Sequence, residues 1–346
     1  MAVTVKEVAA VAGVSPSTVS RVCKDNPSIS RETKEKVRRA MAKLGYEPVS
    51  SPAPSVSSQS VRQIGIILPP SEREVYENSF YLETIRGISQ FCNQRQYAST
   101  IITGEDESEI LRAVRTLSRG DQVEGFIMLY SKKDDPIVDF LCEEGYLYVL
   151  IGKANQFAGQ TICIDNDNLA AGREATEYLC ALGHKKIAYL GCENVFLFSA
   201  DRKSGYQLAL LQRGLTVRPE YSIEVEHFAH DKVETLQTLL AGEDRPTAIV
   251  VSDDILAVAL ERTCIQMGLS IPEDISIVSF NNSLIAQLTS PQLTSVDVNS
   301  FQLGFEAASQ LINHVENPNL MATKIIVPHS IVERSSCRAL TEGEPE

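Results

Sequence analysis

The spacing of apolar residues changes at about residue 62. Before that point it is helical. Thr4 with Glu7 three residues on is a capping-box signature, and Val5, Val8, Ala9 and Ala12 then recur at i, i+3, i+4 and i+7, which predicts a short amphipathic helix. Gly13 ends it. Ser15 is placed to cap a second helix with Pro16 at its first position; Val19, Val22 and Cys23 make its apolar stripe, and Pro16, Ser17, Ser20 and Arg21 lie opposite. Ser30 caps a third helix, whose Val37, Ala40, Met41 and Leu44 share one face before Gly45 stops it. Two short helices at a tight turn, the second turning small polar groups and an arginine outward, follow the plan of a helix-turn-helix, in which the second helix enters the DNA major groove. A helical hairpin that binds protein is the alternative.

From Gln63 the pattern becomes strand-length apolar runs alternating with helical stretches: QIGIILP, ASTIITG, VEGFIMLY, YLYVLIG, TICID, KKIAYLGC, TAIVVSDD and ISIVSFNN. Continuous apolar runs separated by helices predict parallel strands buried on both faces. Eight units exceed one small sheet, so the reading is α/β with two open parallel sheets. One subdomain is expected over about 63–161 and 291–320, with the late strand LTSVDVN and a helix from Phe301 to Val315 returning to it, and the other over about 162–290 and 321–338. Residues 49–62, rich in proline and serine, read as a linker between a head at 1–48 and the body at 63–338, and 339–346 as a loose acidic tail.

Charge sharpens the picture. Through Arg62 there are ten lysines and arginines against five acidic residues, a balance of +5 that leaves −18 to the rest of a chain whose net charge is −13. A basic head on an acidic body suits contact with phosphates and counts against the protein-binding hairpin. At 43% hydrophobic and 22% charged over 346 residues the chain reads as soluble and globular, with no transmembrane span and no signal segment, hence cytoplasmic. The eight cysteines show no CxxC pairing, and His227 with His230 lacks a third ligand nearby, so no metal is expected. No GxGxxG, GxxxxGK or GxSxG occurs; neither enzyme chemistry nor a cofactor is predicted.

In open parallel sheets ligands sit beyond the carboxyl ends of the strands. The polar residues following the apolar runs are Tyr130 and Ser131, Asp165 to Asp167, Asp253 and Asp254, and Asn281 and Asn282. Asp and Asn can hydrogen-bond paired hydroxyls, as a sugar requires, while Asp165, Asp167 and Asp253 could equally cap helices.

The stretch from Thr4 to Pro48, VKEVAAVAGVSPSTVSRVCKDNPSISRETKEKVRRAMAKLGYEP at its centre, resembles the DNA-binding domain of the LacI/GalR family of bacterial transcription regulators, with matching landmarks as far as Ser335. Within the family, DDPIVDFL, IDNDNLAAG and SFNNSLIAQLTSPQLTSVDVN look most like the maltose-operon repressors of Gram-positive bacteria. The resemblance implies DNA contacts by Thr4, Ser15, Pro16, Ser17, Thr18, Ser20 and Arg21, and a bilobed body like the type I periplasmic sugar receptors. It adds Asn78, Phe80, Arg202 and Phe228 to the ligand site, with Arg202 contacting the effector, Phe228 stacking on it, and Asp253 and Asn281 holding hydroxyls. Many relatives carry aspartate at the position of Asn281. Relatives also form a hinge helix that wedges a leucine into the minor groove; here Pro52 and Pro54 oppose that helix and Val56 is the only apolar candidate for the wedge. The implied function is a homodimeric repressor on a pseudo-palindromic double-stranded operator, released by a sugar such as maltose or a maltodextrin. The alternatives are a corepressor-dependent regulator, as in purine-responsive relatives, and a sugar receptor without a DNA role.

Overall fold

The computed structural model describes residues 3–23, 29–46, 62–71, 78–120, 123–192, 196–225 and 233–340. The head consists of α1 (Val5–Ala12), α2 (Pro16–Cys23) and α3 (Arg31–Leu44). Its local signals act as the sequence predicts. Thr4 N donates to the Glu7 carboxylate at 2.8 Å while Glu7 N donates back to Thr4 Oγ1, and Ser15 and Ser30 accept from Thr18 N and Thr33 N. Gly13 and Gly45 end their helices at φ +65° and +66°, where a Cβ would be strained. Val8, Val19, Val22, Val37 and Met41 are buried in one small core.

The body holds two six-stranded sheets. The first, in the order β11-β5-β4-β3-β1-β2, comprises β1 (Gln63–Ile67), β2 (Ala98–Ile102), β3 (Val123–Met128), β4 (Tyr148–Ile151), β5 (Ile162–Asp165) and β11 (Lys324–Ile326). The second, in the order β12-β10-β9-β8-β6-β7, comprises β6 (Ile187–Cys192), β7 (Ser222–Val225), β8 (Ala248–Val251), β9 (Ser276–Phe280), β10 (Thr294–Asp297) and β12 (Ser330–Val332). Among the described strands, β12 alone pairs antiparallel, with β10. Helices α4 (Ser79–Gln94), α5 (Glu107–Arg119), α6 (Pro136–Glu143) and α12 (Ser300–Glu316) accompany the first sheet. The second has α7 (Asn168–Ala181), α8 (Leu197–Gln212), α9 (Val233–Ala241), α10 (Asp254–Gln266) and the short α11 (Leu284–Leu288).

The division of the chain differs from the one read along the sequence. TICID, expected to open the second lobe, holds β5, which lies between β4 and β11 in the first sheet. LTSVDVN, expected to return to the first lobe, holds β10 beside β9 in the second, and only α12 crosses back. Residues 321–338 divide between the sheets, β11 in the first and β12 in the second. A strand covered on both faces is apolar whichever sheet it joins, so an apolar run identifies a strand without identifying its neighbour. The chain therefore crosses between lobes at 166–167, 298–299 and 327–329. Asn166 ties these crossings together, its Nδ2 donating to Val298 O at 3.0 Å and Val327 O at 2.8 Å.

In each lobe one pair of helices crosses at a pair of glycines. A Cβ at Gly87 of α4 would overlap the Phe301 carbonyl of α12, and one at Gly304 the Thr84 carbonyl of α4. In the second lobe a Cβ at Gly172 of α7 would overlap the Arg202 carbonyl of α8. Backbone contact at this crossing sets how deeply α8 carries Arg202 toward the cleft.

Candidate effector cleft and DNA-reading head

Of the residues placed to meet DNA, Thr4 caps α1 and Ser15 is exposed, while Pro16, Ser17, Thr18, Ser20 and Arg21 are half-buried. The sequence reading turned this face of α2 outward; in the structure it lies against the first lobe. Arg21 Nη2 donates to His314 O in the last turn of α12 at 3.2 Å, a carbonyl at the negative end of the helix dipole. Gly145, at φ +73°, lies against Pro16, and Lys6 pairs with Glu143 at 3.5 Å. Burial lowers the Arg21 pKa, and the charge of Glu124 partly offsets this. Arg21 is thus turned toward the body in this arrangement, and reading a base edge requires the head to move away from α12. Val56, with the linker around it, lies outside the described residues, as do Phe228, His227 and His230.

The cleft lies where the predicted ligand sites converge, at the carboxyl ends of the strands. Its cavity is lined from the first lobe by Asn78, Phe80, Tyr81, Tyr130, Ser131, Asp165 and Leu303, and from the second by Asn168, Phe198, Arg202, Asp253 and Asn281. Asn78 caps α4, its Oδ1 accepting from Phe80 N at 2.9 Å, and its Nδ2 reaches across the cleft to Asp253 Oδ2 at 3.1 Å. Phe80 packs against the apolar cores of both lobes. Tyr130 lies buried beside Asp135, and among the described residues no hydrogen bond of good geometry reaches its Oη; burial, then the charge of Asp135, pushes its pKa well above that of a free phenol.

Asp253 begins α10 and accepts from Ile255 N at 2.7 Å through Oδ1; Oδ2 accepts from Asn281 Nδ2 at 2.7 Å as well as from Asn78. Burial and then the charge of neighbouring Asp254 push its pKa up to about 6, despite these donors. Asp165 ends β5, its Oδ1 accepting from Asn166 N and Asn168 Nδ2, and burial raises it to about 6 also. Arg202 is 4% exposed. Its Nε donates to Asn168 Oδ1 at 2.9 Å and its Nη1 to Ser252 O at 2.7 Å, while the guanidinium lies 4.3 Å from the Phe280 ring centre and 5.0 Å from that of Phe198. Desolvation lowers the pKa of this group. Two hydrogen bonds and two aromatic contacts together fix its orientation.

Two further residues named from strand ends serve the fold. Asp167 is solvent-exposed and caps α7 by accepting from Ala170 N at 2.9 Å. Asp254 accepts from Ser279, Ser283 N and Ser295 beneath the cleft. The sequence reading missed Tyr81, Asn168, Phe198 and Leu303. Phe198 and Asn168 had a signal: Phe198 lies one helical turn before Arg202, and Asn168 follows Asp165 by three residues. Tyr81 and Leu303 look like ordinary helix core.

The lobes meet along one side of the cleft. Leu197 N donates to Ser131 O at 3.2 Å, Lys132 and Phe196 form an antiparallel bridge, and Lys153 pairs with Asp201 at 3.2 Å. Among the described residues no helix is long and apolar enough to cross a membrane.

Comparison with known proteins agrees with this architecture. Residues 4–49 match the model of bacterial regulatory proteins of the lacI family, and residues 176–337 that of the periplasmic binding protein-like domain. The HTH-type transcriptional regulator MalR of Streptococcus pneumoniae is 34% identical, over 96% of this chain and 100% of its own. MalR of Staphylococcus xylosus is likewise 34% identical, over 98% and 99%. Among solved structures, a complex of the transcriptional regulator CelR with cellobiose matches at TM-score 0.74 and 26% identity, covering 96% of this chain and 99% of that one. Matched along nearly its whole length, from the DNA-reading head through both lobes, the chain belongs to the lacI family of bacterial regulatory proteins, which are DNA-binding transcription regulators and not enzymes.

Proposed function

We propose that the protein is a repressor of carbohydrate genes, specifically those for maltose or maltodextrin use, which acts in the cytoplasm as a homodimer on a pseudo-palindromic operator and releases it on binding a sugar. The observation that carries the sugar reading is the cavity itself. Arg202, Asp165 and Asn281 offer hydrogen bonds to hydroxyls beside the rings of Phe80 and Phe198, the mix of fixed polar groups and aromatic faces that a sugar ring needs. The names of the MalR relatives support maltose. Two copies are required because one helix-turn-helix reads only a half-site. The domain limits proposed are a head at 1–48 and a linker at 49–62.

Fluorescence anisotropy on the gene's own upstream DNA, titrated with maltose, maltotriose, sucrose, trehalose and hypoxanthine, tests this reading. Release by maltose or maltotriose is the expected result, and tightening by hypoxanthine would replace it with a corepressor mechanism. Arg202→Ala is expected to abolish the sugar response while leaving operator binding intact; a variant still released by sugar removes Arg202 from the site.

A further inference from the structure

We infer that the chain restrains its own DNA-reading head: in the DNA-free protein α2 docks on the first lobe through the groups that would meet DNA, and any duplex must displace it. This restraint concerns the head alone and holds whether or not the cleft takes a sugar. Two contacts carry it, one toward each end of α2.

At the start of α2 the body meets the helix backbone. Gly145, in the turn after α6, sits so close that a Cβ there would lie 2.9 Å from Pro16 Cβ and 3.1 Å from Ser17 N. The first turn of a helix presents N–H groups and a partial positive charge, the feature that favours a DNA phosphate. Here that turn abuts the carboxyl-terminal end of α6, which carries the opposite partial charge. In the last turn of α2, Arg21 Nη2 donates to His314 O at 3.2 Å, and that carbonyl lies in the last turn of a second body helix, α12. The body therefore offers a helix carboxyl end to each positive feature of α2, in place of the acceptors that phosphates and base edges supply.

The docked and DNA-bound states exclude one another. Arg21 cannot lie against α12 and reach a base edge together, and Gly145 occupies the approach to Pro16. The contact is modest. Burial strips water from Arg21 and lowers its pKa, with the charge of Glu124 offsetting part of that cost, while the Lys6–Glu143 pair at 3.5 Å is solvent-exposed and contributes little. A modest contact suffices because head and body belong to one chain, so docking is intramolecular, at an effective concentration on the order of a millimolar. A head docked for about nine-tenths of the time reads DNA with an apparent affinity about tenfold weaker than a free one. The factor is the same for every duplex, since the head has to leave the body before it meets any of them. Docking thus lowers affinity and leaves sequence choice unchanged.

Arg21 takes part in both states, so the test alters the body side of the contact. Asparagine tolerates the left-handed backbone that Gly145 adopts at φ +73° and adds a side chain against Pro16. Full-length wild type and Gly145→Asn, without sugar, are titrated by fluorescence anisotropy on operator and scrambled duplexes, with urea unfolding to confirm that the variant is folded. Gly145→Asn is expected to bind both duplexes more tightly, by about three- to tenfold per head. Unchanged or weaker affinity in the folded variant would overturn the inference, as would a gain confined to the operator, which means altered base reading instead. Phenylglyoxal labelling of the DNA-free wild type, read by peptide mass spectrometry, needs no variant. Arg21 is expected to react several-fold more slowly than Arg31 of α3, whose side chain is 95% exposed. Equal rates would show an undocked head and overturn the inference on their own.

Discussion

Replacing Asp253 by asparagine separates the charge of this residue from its shape. In the folded protein its pKa is raised from 3.8 to about 6, whereas the unfolded chain returns it to the ordinary value. Between those values the folded state binds more protons than the unfolded one, so this group's contribution to stability is greatest below pH 4 and is lost as pH rises through 6. The full loss is about 3 kcal/mol at ~1.36 kcal/mol per pKa unit, of which roughly 1 kcal/mol falls between pH 5 and pH 8. Asparagine has no such dependence. Its oxygen can still accept from Ile255 N, but its amide nitrogen then meets Asn78 Nδ2 and Asn281 Nδ2 where a carboxylate oxygen accepted from both. Asn281 can turn its amide over, since its Oδ1 has no partner among the described residues. Asn78 cannot, because its Oδ1 holds Phe80 N. One unmet donor pair remains, costing about 1–3 kcal/mol. Asp253→Asn is therefore expected to be less stable than the wild type at pH 5, with the deficit shrinking by roughly 1 kcal/mol by pH 8. Urea unfolding of both full-length proteins, followed by circular dichroism at pH 5, 6, 7 and 8, measures this. Buried acids that do not interact with Asp253 titrate in both proteins and cancel in the difference, whereas Asp254 is relieved of the Asp253 charge in the variant and adds to the change in the same assay. A stability difference that stays constant over this range would refute the raised pKa of Asp253.

The head and the helix crossing give two further tests. Arg21→Ala is expected to weaken operator binding by about 1–3 kcal/mol and relax sequence choice, read by anisotropy on operator and scrambled duplexes; equal weakening on both would make Arg21 a phosphate contact. Gly172→Ala forces a methyl group into the Arg202 carbonyl, so α7 and α8 must separate. A loss of about 1–3 kcal/mol in urea unfolding is expected, with sugar affinity falling as Arg202 shifts. Unchanged stability would show that the crossing can widen freely.

How much of this could be read from the chain depends on the range of the physics involved. Capping at Thr4, the left-handed ends at Gly13 and Gly45, and the burial of Val19 and Val22 are decided within a few residues, and the sequence shows them directly. Strand partners are decided across the chain: nothing in ICID separates a strand beside YVLI from one beside IAYLGC, because both surroundings are equally apolar. The candidate site divides along the same line. Polar residues at strand ends are legible because the topology of any parallel sheet makes those ends a ligand position. Their division of labour is not, because it depends on which hydrogen bonds the protein has already used. Asp165, Asp167 and Asp253 look alike in sequence, each following an apolar run. In the fold Asp167 is spent on a helix end in solvent, and Asp253 is largely committed to Ile255, Asn78 and Asn281. Among the described residues Asp165 keeps its Oδ2 without a partner, in the same cavity that Arg202 lines. A carboxylate already supplied with three donors gains less from a hydroxyl than one with an open oxygen, since each added bond displaces or shares an existing one. On the proposed sugar reading, selectivity would rest on Asp165 and Arg202 more than on Asp253, whose carboxylate links the two lobes through Asn78 and Asn281.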